Sequence, residues 1–180
     1  MNTFQESGTG QNHIIFLDRI PVTCPGSTVL RQFRYVNDAS FTLHRYLFTC
    51  TSELSSNMVC TAVPGATANF FSGWSHGNTN FLDRLHPDCG THGAINDFRL
   101  INLGNYIFRY DLICCKPAGS TLECSTLNTA LNDGGNWISD YLDRHNVACP
   151  PETVIKSFRL LTGPGIQMKY SYDCCSIVLP

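Results

Sequence analysis

Short runs of alternating apolar and polar residues recur along the chain, each bounded by turn-forming residues. Ile107-Phe108-Arg109-Tyr110-Asp111-Leu112 and Gln167-Met168-Lys169-Tyr170-Ser171-Tyr172 alternate at period two, the signature of half-buried strands. Val29-Leu30-Arg31-Gln32-Phe33-Arg34-Tyr35 alternates in part. Asn102-Leu103-Gly104-Asn105 and Thr162-Gly163-Pro164-Gly165 supply turn chemistry ahead of the two cleaner strands. No long stretch carries a helical period; a short helix over Thr121 to Leu131 is the one alternative. The pattern predicts an all-β chain.

The pattern occurs three times. Ile15 to Thr51, Asn80 to Lys116 and Asp140 to Ser176 align. In each, an aromatic residue precedes Leu-Asp-Arg, and a cysteine follows the Asp by six positions: Cys24, Cys89 and Cys149. A Phe-Arg pair begins nine residues after that cysteine: Phe33-Arg34, Phe98-Arg99 and Phe158-Arg159. A basic residue and a tyrosine (Arg45-Tyr46, Arg109-Tyr110, Lys169-Tyr170) then lead to Cys50, Cys114 and Cys174. Each module is expected to place one strand at Leu-Asp-Arg, one through Phe-Arg, and a return strand through the tyrosine. The organisation predicted is an N-terminal segment 1–13, modules at 14–51, 80–116 and 140–180, and linkers at 52–79 and 117–139. The linkers are rich in Ser, Thr, Gly, Asn and Ala, and read as irregular surface structure.

Ten cysteines, an even number in small modules, read as a disulfide framework. Constant spacing predicts Cys24–Cys50, Cys89–Cys114 and Cys149–Cys174. Each closes a loop of roughly 27 residues, worth on the order of 3.5 kcal/mol by chain-entropy reasoning. Cys60, Cys115, Cys124 and Cys175 remain. Pairing Cys60–Cys115 and Cys124–Cys175 uses every cysteine and ties each module to the next; the competing Cys115–Cys124 bond strands Cys60 and Cys175. The favoured scheme implies an open row of three disulfide-stapled modules. A closed ring would take a third link, and the chain ends where its cysteine would lie.

Composition narrows the function. Charged residues are 14% of the chain and the net charge is −2, with no basic stripe for nucleic acid and no apolar run able to span a membrane. Met1 to His13 is polar and has no apolar signal core. The cysteine usage outweighs this, and a secreted, extracellular or cell-surface location is expected.

Candidate chemistry is sparse. Asp18-Arg19, Asp83-Arg84 and Asp143-Arg144 recur once per module. They read as structural ion pairs of Asp18, Asp83 and Asp143 with Arg34, Arg99 and Arg159 of their own modules, ahead of a ligand clamp. His86 and His92 flank Cys89, but the other modules lack them and a disulfide excludes thiolate ligation, so no metal is expected. No free thiolate or nucleophile-elbow motif remains. No catalytic residue, no cofactor and no enzymatic activity are expected. Trp74 and Trp137, one per linker, either stack on glycan or pack against the neighbouring module.

The stretches Cys89 to Cys115, Cys149 to Cys175 and, more weakly, Cys24 to Cys50 resemble repeats of the dermatopontin family of extracellular matrix proteins. Tyr46, Tyr110 and Tyr170 stand at the family's Trp position, and the family's Asp-Arg is absent there. The resemblance implies a secreted matrix or adhesion role, sometimes with carbohydrate binding. The expected function is a structural extracellular subunit of a matrix or head-to-tail homopolymer, with segment 1–13 donated as a strand to a neighbour. The alternative is a multivalent carbohydrate-binding adhesin or lectin.

Overall fold

The alternating segments do form strands, and the strands between them are what the linear reading misses. The computed structural model describes residues 6–7, 14–37, 43–51, 57–72, 75–76 and 78–179. The first repeat carries β1 (Glu6–Ser7), β2 (Val22–Thr23), β3 (Leu30–Asn37) and β4 (Leu43–Cys50). The second carries β5 (Met58–Pro64), β6 (Ala68–Asn69), β7 (Phe71–Ser72), β8 (Ser75–His76), β9 (Ala94–Asn102) and β10 (Ile107–Pro117). The third carries β11 (Thr121–Asn128), β12 (Asn132–Asp133), β13 (Asn146–Ala148), β14 (Val154–Thr162) and β15 (Gln167–Val178). The Phe-Arg and tyrosine strands form the antiparallel hairpins β3–β4, β9–β10 and β14–β15.

The Leu-Asp-Arg segments are not strands. Ile14–Arg19, Thr79–Arg84 and Ser139–Arg144 are 3-10 turns. Ile14 and Leu17, Thr79 and Leu82, and Ser139 and Leu142 are buried in pairs three residues apart. A 3-10 turn eclipses positions i and i+3, so one face goes inward.

The linkers are not irregular either. β5 runs antiparallel to β10 from Asp111↔Pro64 to Pro117↔Met58, and β11 to β15 from Thr121↔Val178 to Asn128↔Ser171. The alternative helix at Thr121 to Leu131 is therefore a strand through Asn128. Both are sheet-edge strands with much exposed surface, which explains their Ser/Thr-rich composition. Each lies in the sheet of the module that it precedes. The first repeat follows suit: β1 pairs with β4 of the same chain, through Glu6↔His44 and Ser7↔Leu43. Glu6 and Ser7 are thus paired within their own chain rather than donated to a neighbour, and the rest of segment 1–13 lies outside the described residues.

The disulfides are Cys24–Cys50, Cys89–Cys114, Cys149–Cys174, Cys60–Cys115 and Cys124–Cys175. Cys60 faces Cys115, and Cys124 faces Cys175, directly across neighbouring strands. Because β5 and β11 belong to the sheets that follow them, every disulfide lies within one repeat. None ties a module to the next.

What joins the repeats is strand exchange, and it closes a ring. β2 of the first repeat pairs with β9 of the second. Asp88 of the second bridges to Ser157 in β14 of the third. β13 of the third pairs with β3 of the first, from Asn146↔Arg34 to Ala148↔Gln32. The open row is thus corrected: backbone hydrogen bonds close the cycle without any disulfide between repeats.

Each hairpin carries a bulge at the same place, skipping Arg31, Asn96 and Lys156 in the ladder. An extra residue re-aims its backbone groups. Here the freed carbonyls accept the N–H groups of Cys149 (3.0 Å), Cys24 (2.8 Å) and Cys89 (3.1 Å), each from another repeat. The Phe-Arg arginines repeat the scheme. Arg34 Nε donates to the Asp143 carbonyl (2.9 Å), Arg99 to that of Asp18 (2.9 Å) and Arg159 to that of Asp83 (3.0 Å). This corrects the expected ion pairs twice over: the partners lie in different repeats, and the acceptors are backbone carbonyls. Turns whose carbonyls point outward need a donor, and the neighbouring arginine supplies it.

Phe33, Phe98 and Phe158 meet where the three sheets converge. Their ring centroids are 5.1 Å (Phe33–Phe98), 5.0 Å (Phe98–Phe158) and 4.8 Å (Phe33–Phe158) apart. Tyr46 packs on Phe33 and Phe98, Tyr110 on Phe98 and Phe158, and Tyr170 on Phe158 and Phe33. One aromatic cluster is therefore shared by all three repeats.

The seam between repeats one and two adds a buried polar clamp. Asn96 is 7% exposed, and its Nδ2 donates to the Cys24 carbonyl (3.1 Å) and the Thr28 carbonyl (2.7 Å). Asn96→Ala leaves both carbonyls short of a donor inside the seam. The expected cost is about 2 kcal/mol, measurable by chemical denaturation of the oxidised chain.

Candidate functional site

The third Leu-Asp-Arg turn, Ser139–Arg144, lies on β3 of the first repeat, at the one seam that chain continuity does not bridge. Asn37 Nδ2 donates to the Asp140 carbonyl at 3.0 Å, beside the Arg34–Asp143 bond. The Tyr35 hydroxyl pairs with the Ser139 side chain. His44 stacks on Tyr35 at 5.6 Å, with Nδ1 2.8 Å from Asn37 Oδ1.

Above this contact is a groove of about 350 Å³, lined by Ile138, Asp140, Tyr141, Asp143 and Arg144. Asp140 is 8% exposed, and its Oδ1 has no hydrogen-bond partner. Burial raises the Asp140 carboxyl above its usual range; His44 opposes the rise and Asp143 adds to it. The Arg144 guanidinium sits over the Tyr141 ring at 4.0 Å and lies 3.8 Å from the Asp133 carboxylate. Gly135, Asn136 and Trp137 take left-handed φ values of 52°, 60° and 66° before the groove. A Cβ at Gly135 would overlap the Tyr141 ring, so a larger residue there displaces that ring as well as straining the left-handed backbone. Trp137 is half-buried and packs against the core; Trp74 lies outside the described residues.

The other turns keep part of this arrangement. Arg19 lies over Phe16 at 4.7 Å and Arg84 over Phe81 at 4.5 Å. Asn80 and Ile15 stand where Asp140 does. A second groove of about 310 Å³ at the seam between repeats two and three includes Thr91, Lys116 and Lys156, and Lys156 is held by Asp88 at 3.0 Å. Among the described residues no group of His, Cys, Asp and Glu is placed to hold a metal ion, and no cysteine is free. Among them, too, no helix is long and apolar enough to cross a membrane.

No protein-family model, curated protein or solved structure matches this chain.

Next to the groove, His145 stands where the other repeats have Ile20 and Leu85. It is 1% exposed, with Nδ1 3.0 Å from Thr129 Oγ1 and Nε2 without a partner. Burial, aided by Arg144, pushes the imidazole down to about 4. The folded chain thus holds it neutral while the unfolded chain binds a proton below its usual value of 6.5. The associated stability is full above that value and is lost as pH falls toward 4, about 2–3 kcal/mol in all. Denaturation midpoints measured across this window are expected to fall with pH, and His145→Leu is expected to flatten that part of the profile.

The sequence reading missed this groove. Its one available signal was the doubled acid, Asp140 and Asp143, present only in the third copy of the turn.

Proposed function

We propose that this protein is a structural component of the extracellular space: a rigid, non-enzymatic subunit of a matrix, filament or cell-surface appendage, akin to dermatopontin-like proteins. The observation that carries the reading is the complete pairing of ten cysteines within three interlocked repeats. Cys60 and Cys124 sit exposed at sheet edges. One half of each of these bonds is at the surface, and disulfides of this kind persist best in an oxidising compartment. Self-association, in this reading, joins folded rings through their surfaces rather than through a donated N-terminal strand.

The test is to locate the native protein by immuno-electron microscopy and to weigh it intact. The reading expects fully oxidised chains in ordered extracellular material. Reduced chains confined to the cytosol would overturn it.

A second reading, a multivalent carbohydrate-binding adhesin, is favoured by the arginine-over-aromatic pair that recurs at all three turns. Saturable glycan-array binding, competed by simple sugars, is its expected signature.

A further inference from the structure

We propose that the groove over the Ser139–Arg144 turn binds a protonated primary amine carried on an alkyl stem. Asp140 and Asp143 receive the ammonium, and Ile138 and Tyr141 flank the stem. The inference goes beyond the structural role proposed above and does not depend on it.

The chemistry follows from what the groove lacks. Asp140 is more than nine-tenths buried, lines the groove, and keeps Oδ1 without a hydrogen bond. A buried carboxylate oxygen without a donor is costly to maintain. Oδ1 is itself sealed from solvent, so an entering ammonium meets it by a turn of the Asp140 side chain toward the groove, which relieves both the missing bond and the desolvated charge. Two carboxylates line the groove with one guanidinium, Arg144, and Arg34 lies beside them on the Asp143 carbonyl. Asp143 lies in the groove with Asp140, and Asp133 beyond it partners Arg144 at 3.8 Å. Arg144 is committed to Asp133 and to the Tyr141 ring. His44 is the other basic group facing Asp140, and Tyr35 beneath it is neutral, its phenol raised by burial.

Shape agrees with charge. One wall is apolar (Ile138) and one aromatic (Tyr141), while the acids come from the same turn, three residues apart. An amphipathic side chain of the lysine type has this division between stem and head. The volume, about 350 Å³, suits a small ligand group. Asparagine or isoleucine at the Asp140 position removes the carboxylate pair from the other two turns, so among the three turns the pair is confined to the third.

Two sources share this chemistry: a lysine side chain of a partner protein and a free polyamine. The experiment is an NMR titration of the full oxidised chain near neutral pH. The probes are Nα-acetyl-lysine methylamide, spermidine, the Nε-acetylated lysine analogue and a methyl hexoside. Both amines are expected to shift the 138–144 amides saturably, and the acetylated analogue and the hexoside are not. Tighter binding of the lysine probe assigns the site to a protein side chain; tighter binding of spermidine assigns it to a polyamine. Asp140→Asn is expected to weaken amine binding about tenfold or more, and Asp143→Asn several-fold. Spectra unchanged elsewhere check the fold of each variant. Should Asp140→Asn fail to fold, Asp143→Asn and the acetylated control still decide the matter. Equal binding of acetylated and free lysine, no binding at millimolar probe, or saturation by the hexoside alone would overturn the proposal.

Discussion

Replacing Phe98 by alanine is expected to cost about 3–5 kcal/mol and to weaken all three sheets together. Phe98 is 1% exposed and touches Phe33, Phe158, Tyr46 and Tyr110, which come from every repeat. Truncation removes edge-to-face contacts and leaves a cavity at the meeting point of the sheets. The hairpins around it are stapled by disulfides, so the site cannot collapse fully. Hydrogen exchange reads the outcome residue by residue. A shared core predicts lost protection in β3, β9 and β14 alike. Loss confined to β9 and β10 would mean that the repeats are independent.

Removing the Cys89–Cys114 bond with paired alanines is expected to cost on the order of 3.5 kcal/mol. The closed loop spans 25 positions, and opening it returns that freedom to the unfolded chain. The damage should also reach the next repeat, because the Cys89 N–H is bonded to the Lys156 carbonyl across the seam. Denaturant titration of the oxidised double variant measures the loss. A change below about 1 kcal/mol would show that the ladder alone holds the hairpin.

Much of the repeat was legible because cysteine spacing and turn residues are local signals. The hairpins followed from alternation around Tyr110 and Tyr170. The pairing of Cys60 with Cys115 and of Cys124 with Cys175 was open to simple elimination. What pairing meant was not legible. Met58–Pro64 and Thr121–Asn128 looked like linkers because edge strands exposed to water are polar, and composition alone cannot separate these from loops. Assigning them to the wrong module turned within-repeat bonds into imagined ties between modules. It also left the N-terminal strand seemingly without a sheet.

The ring itself had no sequence signal. The strand pairing at its seams is two or three residues long or a single bridge, made by backbone groups that any residue supplies, and the arginines that brace each seam bond to backbone carbonyls of another repeat. The bulges at Arg31, Asn96 and Lys156 are occupied by three different residue types, so nothing in the alignment marked them. The Leu-Asp-Arg motif was visible, but its conserved work falls to the Asp carbonyl, which side-chain reasoning overlooks. The groove escaped for a related reason: it is created by docking a turn of the third repeat on a strand of the first, residues more than a hundred positions apart.

The central claim is that the third repeat closes on the first. A nuclear Overhauser spectrum of the native oxidised chain tests it most directly. Closure predicts cross-strand contacts between Asn146–Ala148 and Gln32–Arg34, together with contacts among the Phe33, Phe98 and Phe158 rings. A spectrum with the hairpin contacts present, but none between Asn146–Ala148 and Gln32–Arg34, would contradict it and restore the open row.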